Sequence, residues 1–142
     1  MIDLATPKGR RIDGRLREDI IVWLTTVRPD GRPHTVPVWF WWDGEAVTIF
    51  GQPGTTKVRN LQTNPRVTLA LETRDEGEEV IIIEGTAELL NQSSDLVMSP
   101  GFAAKYAHLF PRIDSSPERM AAVYRQPIRV SPDKLLAWGI PE

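Results

Sequence analysis

Between Thr35 and Trp42 the sequence leaves neither face of an extended strand polar. Successive side chains of a strand point to opposite faces. Thr35, Pro37, Trp39 and Trp41 therefore share one face, and Val36, Val38, Phe40 and Trp42 the other. Both faces are apolar around Trp39 and Phe40, so a strand here has to be covered twice. One cover is a barrel core; the other is a helix, a second subunit or a ligand. Pro37 has no backbone N–H, which predicts an interrupted ladder at that point. Freed backbone groups beside aromatic rings suit a flat heterocycle, and a dimer interface without ligand satisfies the same pattern.

The rest of the chain supplies partners for such a strand. Ile12 to Asp19 reads as a short helix or lead-in, and Ile20 to Val27 as a buried β-branched strand. Arg28-Pro29-Asp30-Gly31 has Pro early and Gly late, as a type I turn prefers. The second strand runs from Pro33 to Trp42, and Asp43-Gly44 signals a hairpin into Ala46 to Phe50. Gly51-Gln52-Pro53-Gly54 breaks that strand, and a short helix follows to about Gln62. Arg66 to Glu72 and Val80 to Leu90 are further strands, the latter with Gly85 as a bulge. Ser93 to Met98, Gly101 to Phe110 and Pro117 to Arg125 read as helical, the last starting at Ser116-Pro117-Glu118. Ile128 to Val130 and Leu135 to Trp138 read as closing strands around a turn at Ser131-Pro132-Asp133. Consecutive strands, antiparallel turns and local helices predict an α+β, mainly β domain on an antiparallel barrel or sheet. It spans residues 1–142, with 1–14 as a loosely ordered lead-in.

Composition narrows the function. With 142 residues, 41% of them hydrophobic, the chain can form one domain with a real core. A net charge of −2 and a pI near 5.7 give no basic face for nucleic acid. The absence of cysteine excludes disulfides, thiolate catalysis and zinc–sulfur sites. No stretch approaches the ~20 apolar residues that span a bilayer, and no signal-peptide core precedes Gly14, so a cytoplasmic protein is expected. His34 and His108 are far apart, no histidine–carboxylate spacing is present, and no metal site is expected. Ser94 and Ser99 lack triad partners, and Asp75-Glu76-Gly77-Glu78-Glu79 reads as a solvated turn.

One short polar segment carries chemistry. Thr55-Thr56-Lys57 opens the helix after the Gly51–Gly54 break, with Arg59 and Asn60 close behind. Hydroxyls, free N–H groups at a helix start and the Lys57 charge together suit an anion such as a phosphate. An ordinary solvated turn carries the same residues.

In order and spacing, these pieces resemble the flavin-binding split-barrel proteins, the pyridoxamine 5′-phosphate oxidase-like superfamily. The resemblance runs from about Ile20 to Trp138. It rests on Asp30-Gly31-Arg32-Pro33, Val36-Pro37-Val38-Trp39-Phe40, Asp43-Gly44, Lys57 with Asn60-Leu61, and Asn64-Pro65-Arg66-Val67. It is most similar to the small branch that uses the deazaflavin coenzyme F420 rather than FMN.

The resemblance implies a split barrel of six to seven antiparallel strands with short helices, and a homodimer. Where FMN enzymes of the family hold phosphate with Ser-Arg-Lys, this chain has Thr55-Thr56-Lys57. Lys57 matches and Thr55 is conservative. Thr56 replaces an arginine, and a hydroxyl cannot hold a phosphate dianion bidentately. The implied cofactor is therefore F420, with FMN as the alternative, and Arg59 can compensate only if it points inward.

The tail is expected at Thr55, Thr56, Lys57 and Asn60. The ring wall is expected at Pro37, Val38, Trp39, Thr48 and Phe50, and Trp138 is a candidate for covering the cofactor edge. No catalytic acid is evident; a proton can come from water or from a nearby Tyr or His. Tyr106 and His108 lie in the helical insert, where a helix-surface role is expected. The implied activity is hydride transfer between the deazaflavin and an unsaturated small organic substrate. The alternatives are an FMN-dependent oxidase or reductase, and a protein that binds flavin or a tetrapyrrole without turnover. A pyridoxamine phosphate oxidase proper is not expected, because its N-terminal extension and basic C-terminal signature are missing.

Overall fold

The computed structural model describes residues 2–142. Its seven strands form one antiparallel sheet in the order β2-β1-β5-β6-β7-β4-β3. The strands are β1 (Val22–Val27), β2 (Pro33–Val38), β3 (Trp41–Trp42), β4 (Val47–Gly51), β5 (Arg66–Leu71), β6 (Val80–Leu89) and β7 (Gln126–Trp138). The helices are α1 (Pro7–Glu18), α2 (Thr56–Leu61), α3 (Ser94–Val97), α4 (Pro100–Lys105) and α5 (Pro117–Val123).

The sheet has to curl, and the chain itself shows why. β2 and β3 lie at opposite edges of the sheet, yet only Trp39 and Phe40 join them. So short a link reaches about 10 Å, since each extended residue spans ~3.3–3.6 Å. The two edges therefore stand close together without pairing, which makes a split barrel. The strand expected from Pro33 to Trp42 is thus two strands in different pairings. β2 pairs with β1, and β3 pairs with β4. The interruption falls at Trp39–Phe40 rather than at Pro37, which stays in register opposite Trp23.

The barrel interior holds Val22, Leu24, Phe40, Val47, Ile49, Leu69, Ile81, Ile83, Ile128 and Val130, all under 3% exposed. A second cluster of Phe50, Phe102, Tyr106, Phe110 and Met120 lies on the other side of β4, beneath the α3–α5 insert. Every residue of β4 is buried for this reason. Val47 and Ile49 face the barrel, and Phe50 faces the insert.

Turn chemistry follows the sequence closely. The Gly31 N–H donates to Arg28 O at 2.8 Å across Pro29-Asp30, and Gly31 takes φ +91°. The Asp43 carboxylate accepts from the Glu45 and Ala46 N–H groups, both at 2.8 Å, closing the β3–β4 hairpin. Ser116 caps α5 by accepting from the Arg119 N–H at 3.1 Å. At Gly85 the β6–β7 register shifts, and Asp133 on β7 is the extra residue. A Cβ at Gly85 would come within 2.7 Å of Ser131 O. The bulge expected there is present, carried by the partner strand.

Three expectations are corrected. Residues 7–14 are not a lead-in but the first part of α1, capped by Thr6, with Ile12 and Leu16 in the barrel core. The two closing strands are one thirteen-residue strand, β7, which absorbs Pro132 at the bulge instead of turning. The acidic segment is solvated only as far as Glu78. Glu79 is buried and paired with Arg11 Nε at 3.0 Å and Arg15 Nη1 at 3.3 Å.

Candidate functional site

A cleft of about 440 Å³ opens beside the split in the barrel, within the range usual for small-molecule sites. Its barrel wall is Ile21, Pro37, Val38, Trp39 and Phe50, its polar end is Gln52, Thr55 and Lys57, and its insert wall is Ile113, Ser115, Met120 and Tyr124. Of the residues expected to hold a ligand, the structure brings together Pro37, Val38, Trp39, Phe50, Thr55 and Lys57.

The polar end is built from the strand break. Gly54 adopts φ +83°, open to glycine and strained for L side chains, and turns the chain into α2. The Thr55 hydroxyl donates to Gln52 O at 2.8 Å, which ties the turn. Gly51 lacks a side chain where a Cβ would meet Lys57 Cε at 3.4 Å and Val58 Cγ2 at 3.1 Å. The lysine stem therefore lies close along the end of β4. Lys57 is half-buried, and among the described residues it forms no ion pair. Burial holds its pKa below the ordinary lysine value. A cation in that condition gains from any anion that enters the cleft.

The barrel wall carries an aromatic stack. Trp39 lies parallel to Tyr106, with centroids 4.3 Å apart and planes 8° apart, and Phe110 meets it edge-on at 5.6 Å. The Trp39 face turned to α4 is thus covered within the chain, while Trp39 also lines the cleft. The Phe40 backbone groups at the strand split are not left free for a heterocycle. The Phe40 N–H donates to the Tyr106 hydroxyl at 2.9 Å, and Phe40 O accepts from Lys105 Nζ at 3.1 Å. Tyr106, expected on a helix surface, is fully buried, whereas His108 is exposed.

Four expected residues, and Arg59 with them, do not line this cleft. Asn60 turns inward, where its amide donates to Thr26 Oγ1 at 2.9 Å and fastens α2 to β1. Thr48 is buried between Trp41 and Arg129 in the β3-β4-β7 register. Thr56 opens α2 without contributing to the cleft, and Arg59 is exposed. Trp138 pairs with Val80 at the far end of β7, whereas the end of β7 beside the cleft is Gln126, opposite Gly51. Sequence reasoning missed Ile21, Gln52, Ile113, Ser115, Met120 and Tyr124. Gln52 had a signal in its place within the strand break. The insert residues had none, because their position depends on how α4 docks.

The sequence matches the pyridoxamine 5′-phosphate oxidase family over residues 10–139. The chain belongs to that family. Among curated proteins no relative matches. Solved structures share the fold. An F420 reductase is 27% identical, covering 87% of this chain and 94% of its own, with a TM-score of 0.65. A conserved hypothetical protein from Mycobacterium tuberculosis is 23% identical over 100% of this chain and 93% of its own, with a TM-score of 0.72. HutZ, a haem storage protein from Vibrio cholerae, is 17% identical over 95% and 97%, with a TM-score of 0.70. The last two similarities speak for the fold alone. Among the described residues no helix is long and apolar enough to cross a membrane.

Proposed function

We propose that the cleft binds a flavin-type cofactor, coenzyme F420 in preference to FMN, and that the protein is an oxidoreductase acting on an unsaturated small organic molecule. The observation that carries this reading is Lys57, a half-buried cation that pairs with no anion among the described residues, in a cleft also lined by the stacked Trp39. The donor set fits such a group: an ammonium and a hydroxyl for an anionic tail, and Pro37, Val38, Trp39 and Phe50 for a flat ring. When bound, the deazaflavin supplies a hydride. The chain's own part is to hold the tail at Lys57 and Thr55, lay the ring against the barrel wall and exclude water with Ile113 and Met120. F420 ranks ahead of FMN because the cleft holds one cation where the FMN enzymes bring two. Charge-assisted contacts contribute about 1.5–3 kcal/mol each. The missing guanidinium thus weakens a phosphate dianion by roughly tenfold to a hundredfold. The similarity to an F420 reductase supports the same ranking.

A homodimer belongs to this reading. Its original warrant, the two-faced aromatic strand, is met inside the chain by α4. What supports a dimer now is the exposure of Trp23 and Trp138, at 36% and 52%, on the sheet. A stable monomer by sedimentation at micromolar concentration would remove it.

The deciding experiment titrates the purified protein with FMN and with F420, following ring fluorescence at matched ionic strength. Tighter binding of F420 is expected, and equal or tighter FMN binding reverses the ranking. Lys57→Ala should weaken binding by about 1.5–3 kcal/mol, with a smaller loss at high salt. The melting temperature without cofactor should hardly move, because no anion depends on this lysine. Normal binding by an unstable variant would make Lys57 a structural residue and end the anion-site reading.

A further inference from the structure

We infer that Lys105 and Tyr106 form a clasp that fixes Ile21 and Trp39 against one another in the barrel wall of the cleft, with Tyr106 as its positioning residue. The inference rests on the proposed function only for what the cleft holds. The Tyr106 hydroxyl meets three backbone groups from two segments. It donates to Ile20 O at 2.6 Å, accepts from the Phe40 N–H at 2.9 Å, and lies 3.2 Å from Phe40 O. Ile20 adjoins Ile21, and Phe40 adjoins Trp39; Ile21 and Trp39 both line the cleft. One buried oxygen thus ties together the lead into β1 and the crossing from β2 to β3.

The β1–β2 ladder ends one step earlier, at the Val22–Val38 pair, and leaves Phe40 beyond its reach. The crossing lies at the split, where no strand pairs with it. Phe40 is fully buried, and a buried peptide group left unpaired is costly, so the phenol stands in for the missing ladder at Phe40. The Tyr106 ring then fixes the Trp39 plane by stacking on it. Lys105 supplies a second strut. Its Nζ donates to Phe40 O at 3.1 Å and sits 3.8 Å from the Phe40 ring centroid. The clasp acts on the barrel wall without lining the cleft itself, so its effect on a ligand passes through Trp39 and Ile21.

Tyr106→Phe tests the inference, since it keeps the ring and its stack but removes every hydroxyl contact. Two readouts are needed. The first uses the ligand-free protein: amide exchange at Phe40, and the nuclear Overhauser contact between the Trp39 and Phe110 rings. The second is the Kd for FMN and for F420. Ile83→Val, a core truncation outside the cleft, serves as the comparison for general loss of stability. The expected result is loss of Phe40 protection, weakening of the Trp39–Phe110 contact, and a rise in Kd of about tenfold, on the scale of one or two net hydrogen bonds. Ile83→Val should change none of these. Unchanged Phe40 exchange, or a Kd within about twofold of the wild type, would overturn the clasp. So would an equal rise in Kd from Ile83→Val. If the wild-type protein binds neither cofactor, the proposed function fails, and the clasp then stands or falls on the ligand-free measurements.

Discussion

Two cationic side chains, one buried and one half-buried, show how burial and pairing decide what a charge does. Arg15 is 3% exposed and fully engaged. Its Nη2 meets Asp19 Oδ2 at 2.6 Å and also donates to Glu72 O, while Nη1 meets Glu79 at 3.3 Å. Burial works against its charge, but Asp19 and Glu79 outweigh that and raise its pKa. Lys57 has burial without pairing, and its pKa falls. Arg15 is thus structural and Lys57 available. Arg15→Met should cost about 3–5 kcal/mol, the usual penalty when a buried pair loses one partner, read as a drop in the denaturant midpoint. Glu79 answers to pH from the other side. Burial pushes its pKa up, yet Arg11 and Arg15 hold it below the ordinary carboxylate value. Its contribution is therefore present above the unfolded pKa and is lost as pH falls through the lowered folded one. For Lys57, an anion bound in the cleft favours the charged form. Cofactor affinity should accordingly decline with rising pH in the alkaline range, starting below the ordinary lysine value. Lys57→Met should flatten that decline.

Among the elements, α4 matters beyond its six residues. It covers the outer face of the β2–β3 crossing, and two contacts set its approach. Phe102 and Tyr106 fill the second cluster, and Gly101 lies against Trp41. A Cβ at Gly101 would come within 2.3 Å of the Trp41 ring, closer than any real contact. Gly101→Ala should push α4 outward, at a cost of about 1–3 kcal/mol for overpacking. Cofactor affinity should fall with it, and unchanged binding in the folded variant would show that α4 does not govern the cleft. The β6–β7 bulge gives a contrast without function. Gly85→Ala would press on Ser131 O at 2.7 Å and Val130 Cγ1 at 2.9 Å. It should lower the melting temperature while leaving binding unchanged.

At the scale of the whole molecule, the fold closes a barrel with side chains instead of a final ladder, and that closure includes a titratable group. Burial lowers the pKa of Lys105 to about 8, with Asp19 acting weakly in the opposite direction. In the unfolded chain the same lysine keeps its ordinary value. Between those two values the unfolded state binds the extra proton, so stability rises with pH across that window. Below about pH 8 the charged lysine costs the fold free energy. Melting curves from pH 7 to about pH 10 should therefore favour the wild type over Lys105→Met by a growing margin. A margin that stays flat or shrinks would show that Lys105 remains fully charged in the folded protein.

Local chemistry decided much of this fold from sequence alone. The turns at Arg28–Gly31 and Asp43–Gly44, the break at Gly51–Gly54 and the Ser116 cap depend on residues within four positions of one another. Pro, Gly, Asp and Ser act over that range. The antiparallel architecture followed, as did the half of the cleft carried by Pro37, Val38, Trp39, Phe50, Thr55 and Lys57. Direction and distance did not follow. Asn60 and Thr56 sit in the same short helix as Lys57, yet only the docking of α2 on β1 turns Asn60 into the core. Trp138 reads as a closing aromatic, but an unbroken β7 carries it to the far end of the sheet. The alternation at Trp39 and Phe40 announced that two covers were needed and could not say which. The second cover is α4, held by a phenol 66 residues from the amide it satisfies. Contacts at that separation leave no local pattern, because they depend on how the whole barrel closes.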